Sequence, residues 1–264
     1  MNISQHTASK YRKEILFPFF LAWARTRASF RGSIFAPSWF FIEPALRVAI
    51  YGAVFGLLIP PSSQLDYFLP SLVVGVAIFS IFQQALTKGS SFVRTSIGLR
   101  EITGLPVSSS LLATVIEINI RGGAYILVTV IFLSLSGFPP SLTWGAFIIC
   151  IALNSLIIAG ILHGSAFLAN NFPNFHRLIP SINRILFYSS GVFWSLDKVL
   201  ANYPTLLAIG NLNPLYQAIV FARQIFLGTN FPPSSALAAY ALAAAVVFGA
   251  GTLLARISHW SGLK

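Results

Sequence analysis

Residues 36–56 read APSWFFIEPALRVAIYGAVFG, an apolar segment with one acidic and one basic residue near its middle. The same spacing returns in EINIRGGAY at 117–125, so that Glu, Arg and Tyr twice follow one another at four-residue intervals. Residues four apart lie on one face of a helix, and Glu placed before Arg is the favourable order for a local ion pair. The pattern predicts two helices that each carry such a pair: Glu43 with Arg47, and Glu117 with Arg121.

The whole chain is unusually apolar. Of its 264 residues, 56% are hydrophobic and only 9% are charged, and the mean hydropathy is +0.77. Soluble domains carry about 25% charged residues, so we expect an all-α polytopic membrane protein. The formal net charge of +11 could indicate a nucleic-acid partner. The basic residues, however, fall mostly in short segments between apolar runs, which is typical of cytoplasmic membrane anchors.

Six apolar stretches are long enough to cross a hydrocarbon core about 30 Å thick. Lys and Arg follow the second and fourth of them and are absent from the connections after the first and third. Because cytoplasmic connections carry the excess of basic residues, we predict that both termini are cytoplasmic. The predicted spans are 38–59, 67–86, 107–135, 142–168, 178–196 and 236–255.

Three further segments are too short or too interrupted to be simple spans. Residues 10–31 combine a short apolar run with flanking basic residues, which predicts an amphipathic helix lying in the inner membrane interface. Residues 203–227 are split by Gly, Asn and Pro at 210–214, which predicts a pair of short re-entrant helices on the outer side. Residues 94–102 predict a short cytoplasmic helix.

The sequence offers little for catalysis. It contains no GxxxxGK[ST] phosphate loop, so ATP hydrolysis would belong to a separate subunit. Its six acidic residues are widely dispersed, and its four histidines show no metal-binding spacing. We therefore expect a transport subunit rather than an enzyme, with no catalytic, cofactor-binding or metal-binding residues of its own.

The charged residues inside the predicted spans admit two interpretations. A single charge at mid-membrane costs about 2.5–3.5 kcal/mol, so a lipid-facing position is disfavoured. The pairs either lock helices together or line a wet pathway, in which aromatic side chains offer flat surfaces to sugar rings. The candidate pathway residues are Phe40, Tyr51, Phe55, Tyr125, Arg184, Phe187, Tyr188 and Trp194.

Three segments, taken in order, resemble a known family. They are residues 36–56, LREITGLPVSSSLLA at 99–113 and NLNPLYQAIVFARQIFLG at 211–228. With the order of predicted helices, they resemble the ABC-2 type permease subunits that export O-antigen, capsule, teichoic acid or galactan. The resemblance covers nearly the whole chain. It departs at Glu43, where many members have Gln, and at SSGVFWS, 189–195, where many members read SPV-[ifw]-[yf].

The resemblance implies a homodimer of permease subunits in the bacterial inner membrane, bound to two ABC ATPase subunits that hold ATP and Mg. Its substrate would be a lipid-linked glycan, such as a polyprenyl-diphosphate O-antigen or galactan. The ATPase would bind the N-terminal helix and the cytoplasmic helix, the latter through Arg94, Ile97, Arg100 and Glu101.

Basic residues of the N-terminal helix provide a candidate site for the lipid phosphates: Arg25, Arg27 and Arg31. The positive-inside rule also explains these residues without any substrate role. Two other functions stay open, namely an ABC-2 permease for a drug or a smaller lipid, and a membrane enzyme acting on polyprenyl-linked sugars.

Overall fold

The computed structural model describes residues 3–29, 36–58, 65–104, 106–193, 199, 202–228 and 230–257. This part of the chain contains no strand, which confirms the all-α prediction. The helices are α1 (Ile3–Ala28), α2 (Ala36–Leu58), α3 (Leu65–Thr103), α4 (Val107–Leu135), a 3₁₀ turn (Leu142–Ala146), α5 (Phe147–Asn171), α6 (Phe175–Ser189), α7 (Pro204–Asn211), α8 (Pro214–Leu227) and α9 (Ser234–Ile257).

The predicted count of six spans is not confirmed. Among the described residues, four segments are long and apolar enough to cross a membrane: α3, α4, the 3₁₀ turn together with α5, and α9. The α7–α8 pair would make a fifth if it were counted as one span. Helix α6, which begins the predicted span 178–196, has only 15 residues and is about 22 Å long, shorter than the hydrocarbon core.

Helix α3 lies at the centre of the fold and packs against α4, α5 and α8. It joins two segments, 67–86 and 94–102, that the sequence predicts as separate helices. No break separates them, and the Gly and Ser residues between them lie within the helix. A Cβ on Gly89 would lie 2.6 Å from Ser165 Cβ, and the Ser90 hydroxyl donates to the Thr87 carbonyl at 2.7 Å.

The remaining helices surround this centre. Helices α5 and α9 pack along each other, α2 packs on α3 and α4, and α1 packs on α4. The largest buried apolar cluster is formed by α3, α5, α8 and their neighbours. The predicted interfacial helix 10–31 falls largely in α1, and its position in the membrane interface stays a prediction.

Helices α5 and α9 approach each other closely at two glycines. A Cβ on Gly160 would lie 2.4 Å from the Val247 carbonyl oxygen, and one on Gly251 would lie 2.3 Å from the Gly160 carbonyl oxygen. Small residues allow the backbones of membrane helices to come this near. The close crossing of α5 and α9 therefore requires glycine at both positions.

We expect Gly160→Ala to destabilise the protein by about 1–3 kcal/mol, because the added methyl group would force the two helices apart. Helix propensity alone would predict the opposite, a gain of up to about 1 kcal/mol. Gly164→Ala is the matched control, since a Cβ there meets no atom within 4 Å. Unfolding in detergent measures both variants, and equal stability of the Gly160 variant and the wild type would contradict the close crossing.

The α7–α8 pair is bent by 85°, which agrees with the interruption predicted within 203–227. Asn213 accounts for the bend. Its Oδ1 accepts a hydrogen bond from the Leu215 amide at 3.0 Å and caps α8, while its Nδ2 donates to the Ser189 carbonyl at 3.1 Å. Pro214 then occupies the first turn of α8, where its missing N–H leaves no bond unmade. The re-entrant position on the outer side stays a prediction.

Candidate functional site: a polar cavity between three helices

Polar and aromatic side chains from α2, α3 and α4 converge on a cavity of about 450 Å³, which we call the polar cavity. The spacing within each helix explains the convergence, because residues three or four apart share one helix face. The structure thus brings the two quoted segments, 36–56 and 117–125, to the same place. The lining residues are Ser29, Trp39, Phe40, Glu43, Arg47, Ser80, Gln83, Gln84, Thr87, Lys88, Arg121 and Tyr125.

The first predicted pair forms within α2 and also contacts α4. Arg47 Nη2 donates to Glu43 Oε1 at 3.1 Å. The Tyr125 hydroxyl donates to the same carboxylate oxygen at 2.9 Å, and the Arg47 guanidinium carbon lies 5.8 Å from the centre of the Tyr125 ring. Tyr125 of the segment 117–125 therefore joins the Glu43–Arg47 ion pair of the segment 36–56.

Arg47 also binds α3. Its Nη1 donates to Gln83 Oε1 at 3.1 Å and to Ser80 Oγ at 3.4 Å. The Glu43 side chain is 60% exposed to the cavity, and an exposed ion pair contributes only about 0–1 kcal/mol to stability. The arrangement therefore orients charged groups at the cavity wall more than it stabilises the fold.

Glu117 is the buried acid of the site, only 3% exposed. Its closest cation belongs to α3, since Lys88 Nζ lies 2.6 Å from its Oε1. Arg121 Nε, the expected partner, lies 3.4 Å from the same oxygen and makes no hydrogen bond to a described residue. Sequence reasoning placed Lys88 in a cytoplasmic connection. The four-residue interval from Gln84 to Lys88 was the signal that could have placed it on the cavity face of α3.

Helix α1 adds another cation beside Glu117. Arg25 Nη1 donates to Thr114 Oγ1 of α4 at 3.0 Å, and a pocket of about 160 Å³ separates this contact from Lys88 and Glu117. Burial lowers the pKa of the Arg25 guanidinium and the charge of Glu117 raises it, but an arginine stays protonated in proteins. Arg25 thus links α1 to the charged cluster.

The charges around the polar cavity do not cancel. Lys88 lies against Glu117 and Arg47 against Glu43, which leaves the guanidinium of Arg121 without a carboxylate of its own. Within the described residues, this wall therefore carries an excess of positive charge. A concave surface with one sign of charge attracts counter-ions of the other sign.

Residues 18–227 match the ABC-2 type transporter family. The chain belongs to this family. The matched range contains the three walls of the polar cavity and most of the bundle, and the family supplies the membrane-embedded permeases of ABC transporters. No curated protein matches the chain significantly.

The pathway residues predicted for this ABC-2 permease separate into two groups. Phe40 and Tyr125 line the polar cavity, whereas Tyr51, Phe187 and Tyr188 meet near the end of α6. The ring centres of Tyr51 and Phe187 are 6.2 Å apart, and those of Phe187 and Tyr188 are 5.8 Å apart.

Of the three other predicted pathway residues, only Arg184 lies fully within the described residues. Arg184 is exposed on α6. The side chain of Phe55 and the whole of Trp194 lie outside the described residues, as does Arg31 of the candidate phosphate site. Arg27 of that site is exposed on α1.

The predicted ATPase-binding residues of the permease lie in the last turns of α3. Arg94 and Glu101 are exposed, and Ile97 and Arg100 are partly buried. One hydrogen bond and one glycine turn connect this end of α3 to the start of α4. The Ser96 hydroxyl donates to Ser110 Oγ at 3.1 Å, and Gly104 turns the chain with a φ of +67°, a conformation that favours glycine.

Arg223 of α8 is a partly buried residue that sequence reasoning left out of the site. Its guanidinium donates to the carbonyls of Ser71 at 3.0 Å, Gly191 at 3.0 Å and Val192 at 2.6 Å. It therefore holds the start of α3 and the chain after α6 against α8. Its position in residues 211–228, the third segment that resembles the family, could have identified it from the sequence.

The described residues include no group of three or more His, Cys, Asp or Glu side chains that could hold a metal ion. The lining of the polar cavity offers charged groups, hydrogen-bonding groups and aromatic faces for binding.

Proposed function

We propose that this chain is the permease subunit of an ATP-driven exporter that moves a lipid-linked polysaccharide from the cytoplasm across the bacterial inner membrane. The polar cavity is the observation that supports this most directly. Arg121 and Lys88 offer donors that suit phosphate oxygens, while Trp39, Phe40 and Tyr125 offer aromatic surfaces that suit sugar rings. A lipid-linked glycan carries both of these groups.

Helix α3 is suited to couple this cavity to a separate ATPase. With 39 residues it is about 58 Å long, and about 20 residues suffice to cross the membrane. The same continuous helix carries Lys88 at the cavity and residues 94–102 at its far end. In our proposal, two ATPase subunits bind the far ends of α3 in a permease homodimer, and their closure moves the cavity walls.

Ile102 is the exposed apolar residue that we expect the ATPase to cover. It is 86% exposed in the last turn of α3, next to the exposed Glu101. We expect Ile102→Asp to reduce the amount of co-purified ATPase at least tenfold, because a charge would enter an apolar contact. Leu135→Asp is the matched control, since Leu135 is 85% exposed at the end of α4 remote from this contact. Equal loss of the ATPase in both variants would contradict the assignment.

Substitution of Arg121 tests whether the polar cavity binds the substrate. We expect Arg121→Gln to reduce substrate-stimulated ATP hydrolysis at least tenfold in liposomes that hold the permease and its ATPase, because the cavity loses its excess charge. The fold should survive, since Lys88 remains 2.6 Å from Glu117. Arg177→Gln removes the same charge from an exposed position on α6 that belongs to no candidate site, and it should leave the stimulation unchanged.

The proposal as a whole is tested by transport in those liposomes with a purified polyprenyl-diphosphate glycan. We expect transport that requires both the ATPase and ATP. Transport by this chain alone, without nucleotide, would overturn the proposal.

A smaller anionic lipid is a second candidate substrate. The volume of the polar cavity favours it, because about 450 Å³ is within the range of sites for small molecules rather than polymers. Adding each substrate separately to the same liposomes distinguishes the two, since only the true substrate should stimulate ATP hydrolysis and be transported.

A further inference from the structure

A second cavity, of about 210 Å³, adjoins the polar cavity, and Gln83 lines both. Its exposed wall is almost entirely apolar, and we call it the apolar cavity. Helices α3, α5, α6 and α8 line this partly open space, mainly with Phe79, Phe82, Leu86, Ile161, Leu186 and Leu215.

One polar side chain in this wall lacks a partner. Asn183 of α6 is only 7% exposed, and its Oδ1 has no hydrogen-bond partner within the described residues. Buried polar groups in native proteins are nearly always paired, either with protein or with a bound molecule. The amide can rotate about its last torsion, so it can present either its oxygen or its N–H groups to the cavity.

The apolar cavity also has room for a ligand. A Cβ on Gly164, which lines it, would meet no atom within 4 Å. An engineered apolar cavity of about 150 Å³ in another protein takes up benzene, so about 210 Å³ has room for a molecule with two fused rings.

Water is a poor occupant of this space, because a buried water needs two to four polar partners. The Ser165 hydroxyl in this wall already donates to the Leu86 carbonyl at 2.7 Å, and Gln83 Oε1 already accepts from Arg47. Among the described residues of this wall, the Oδ1 of Asn183 is the polar side-chain atom that is buried without a hydrogen-bond partner.

We propose that the apolar cavity binds a small, uncharged and mainly apolar molecule with a single hydrogen-bonding group, which pairs with the amide of Asn183. This site is distinct from the polar cavity and does not depend on the proposed transport function. The apolar cavity would recognise its ligand by a shape of about two fused rings and by one hydrogen bond.

Indole and indene provide a direct test, because they have nearly the same shape and only indole carries an N–H donor. Equilibrium dialysis of each compound against nanodiscs that contain the protein measures binding, and empty nanodiscs correct for partition into lipid. We expect the wild type to bind indole at least tenfold more tightly than indene.

Three variants complete the experiment. Asn183→Leu should reduce indole binding at least tenfold, to the level of indene, and Gly164→Leu should abolish binding of both by filling the cavity. Gly249→Leu is the control, since Gly249 is exposed on α9 and a Cβ there also meets no atom within 4 Å. Size-exclusion chromatography verifies that each variant is folded.

Two results would overturn the proposal. One is equal binding of indole and indene by the wild type, which would remove the role of Asn183. The other is indole binding that equals the empty-nanodisc value or that persists in Gly164→Leu, which would remove the cavity itself. Because no ATPase is present, neither result bears on transport.

Discussion

Glu117→Leu is expected to destabilise the protein by about 1.5–3 kcal/mol, because the partly buried Lys88 loses the charge-assisted hydrogen bond that it donates to this buried carboxylate. Lys88 Nζ lies 2.6 Å from the Glu117 carboxylate, and Arg121 Nε lies 3.4 Å from it. Arg25 is also within the electrostatic influence of this carboxylate. Loss of Glu117 therefore leaves three neighbouring cations without their shared counter-charge.

Two further variants identify the ion pair as the cause. The double variant Glu117→Leu with Lys88→Met should recover part of the lost stability, since it removes the closest of the three cations and keeps apolar volume. Glu43→Leu is the matched control, because the Glu43 side chain is 60% exposed and its pair contributes only about 0–1 kcal/mol. The free energy of unfolding in mixed detergent measures all three. A double variant as unstable as the single one would show that Lys88 is not the partner that matters.

The Glu117 cluster also connects helices that our proposed mechanism requires to move together. Lys88 is carried by α3, Glu117 and Arg121 by α4, and Arg25 by α1. A displacement of α3 by the ATPase would therefore reach α4 through a short, buried ion pair.

Arg223→Ala is expected to destabilise the protein by at least about 3 kcal/mol. Each hydrogen bond from a charged group contributes about 1.5–3 kcal/mol, and the guanidinium donates to three backbone carbonyls. Two of these carbonyls belong to Gly191 and Val192, directly after α6, and the third belongs to Ser71 of α3. Without Arg223, these oxygens would remain buried with no equivalent donor.

Arg223→Lys should recover only part of this loss, because an ammonium group cannot reach three carbonyls in the geometry of a planar guanidinium. Arg184→Ala, an exposed arginine of α6, should change stability by less than about 0.5 kcal/mol. Detergent unfolding and limited proteolysis near Gly191 provide the measurements. Full recovery by lysine would show that charge, rather than the shape of the guanidinium, holds this region.

Several features of the structure have causes that lie near one another in the chain. Helix α4 begins and ends at the predicted residues, Val107 and Leu135. The interruption before α8 follows from the Asn213–Pro214 pair, and the Glu43–Arg47 contact follows from helical spacing. In each case the cause is local: hydropathy over one span, a cap, or a four-residue interval.

Other features could not be predicted because their causes lie on different helices. The close approach of Gly89 in α3 to Ser165 in α5 joins residues 76 positions apart in the chain, so only the packing of the two helices reveals it. The preference of Glu117 for Lys88 over Arg121 depends on how α3 packs against α4. The separation of the predicted aromatic pathway into two groups depends on where α6 ends.

The sequence by itself therefore determined that this is an all-α membrane protein of the ABC-2 type, with charged residues paired at helical spacing. Hydropathy, charge distribution and turn chemistry act over a few residues to a single span, so they can be read along the chain. Only the tertiary structure determined which charged side chains lie together, because a cation pairs with the carboxylate that is nearest to it in space. Helix packing places Lys88 against Glu117 and Arg223 against three backbone carbonyls. It also places Arg121 at the polar cavity, where its positive charge can bind a ligand.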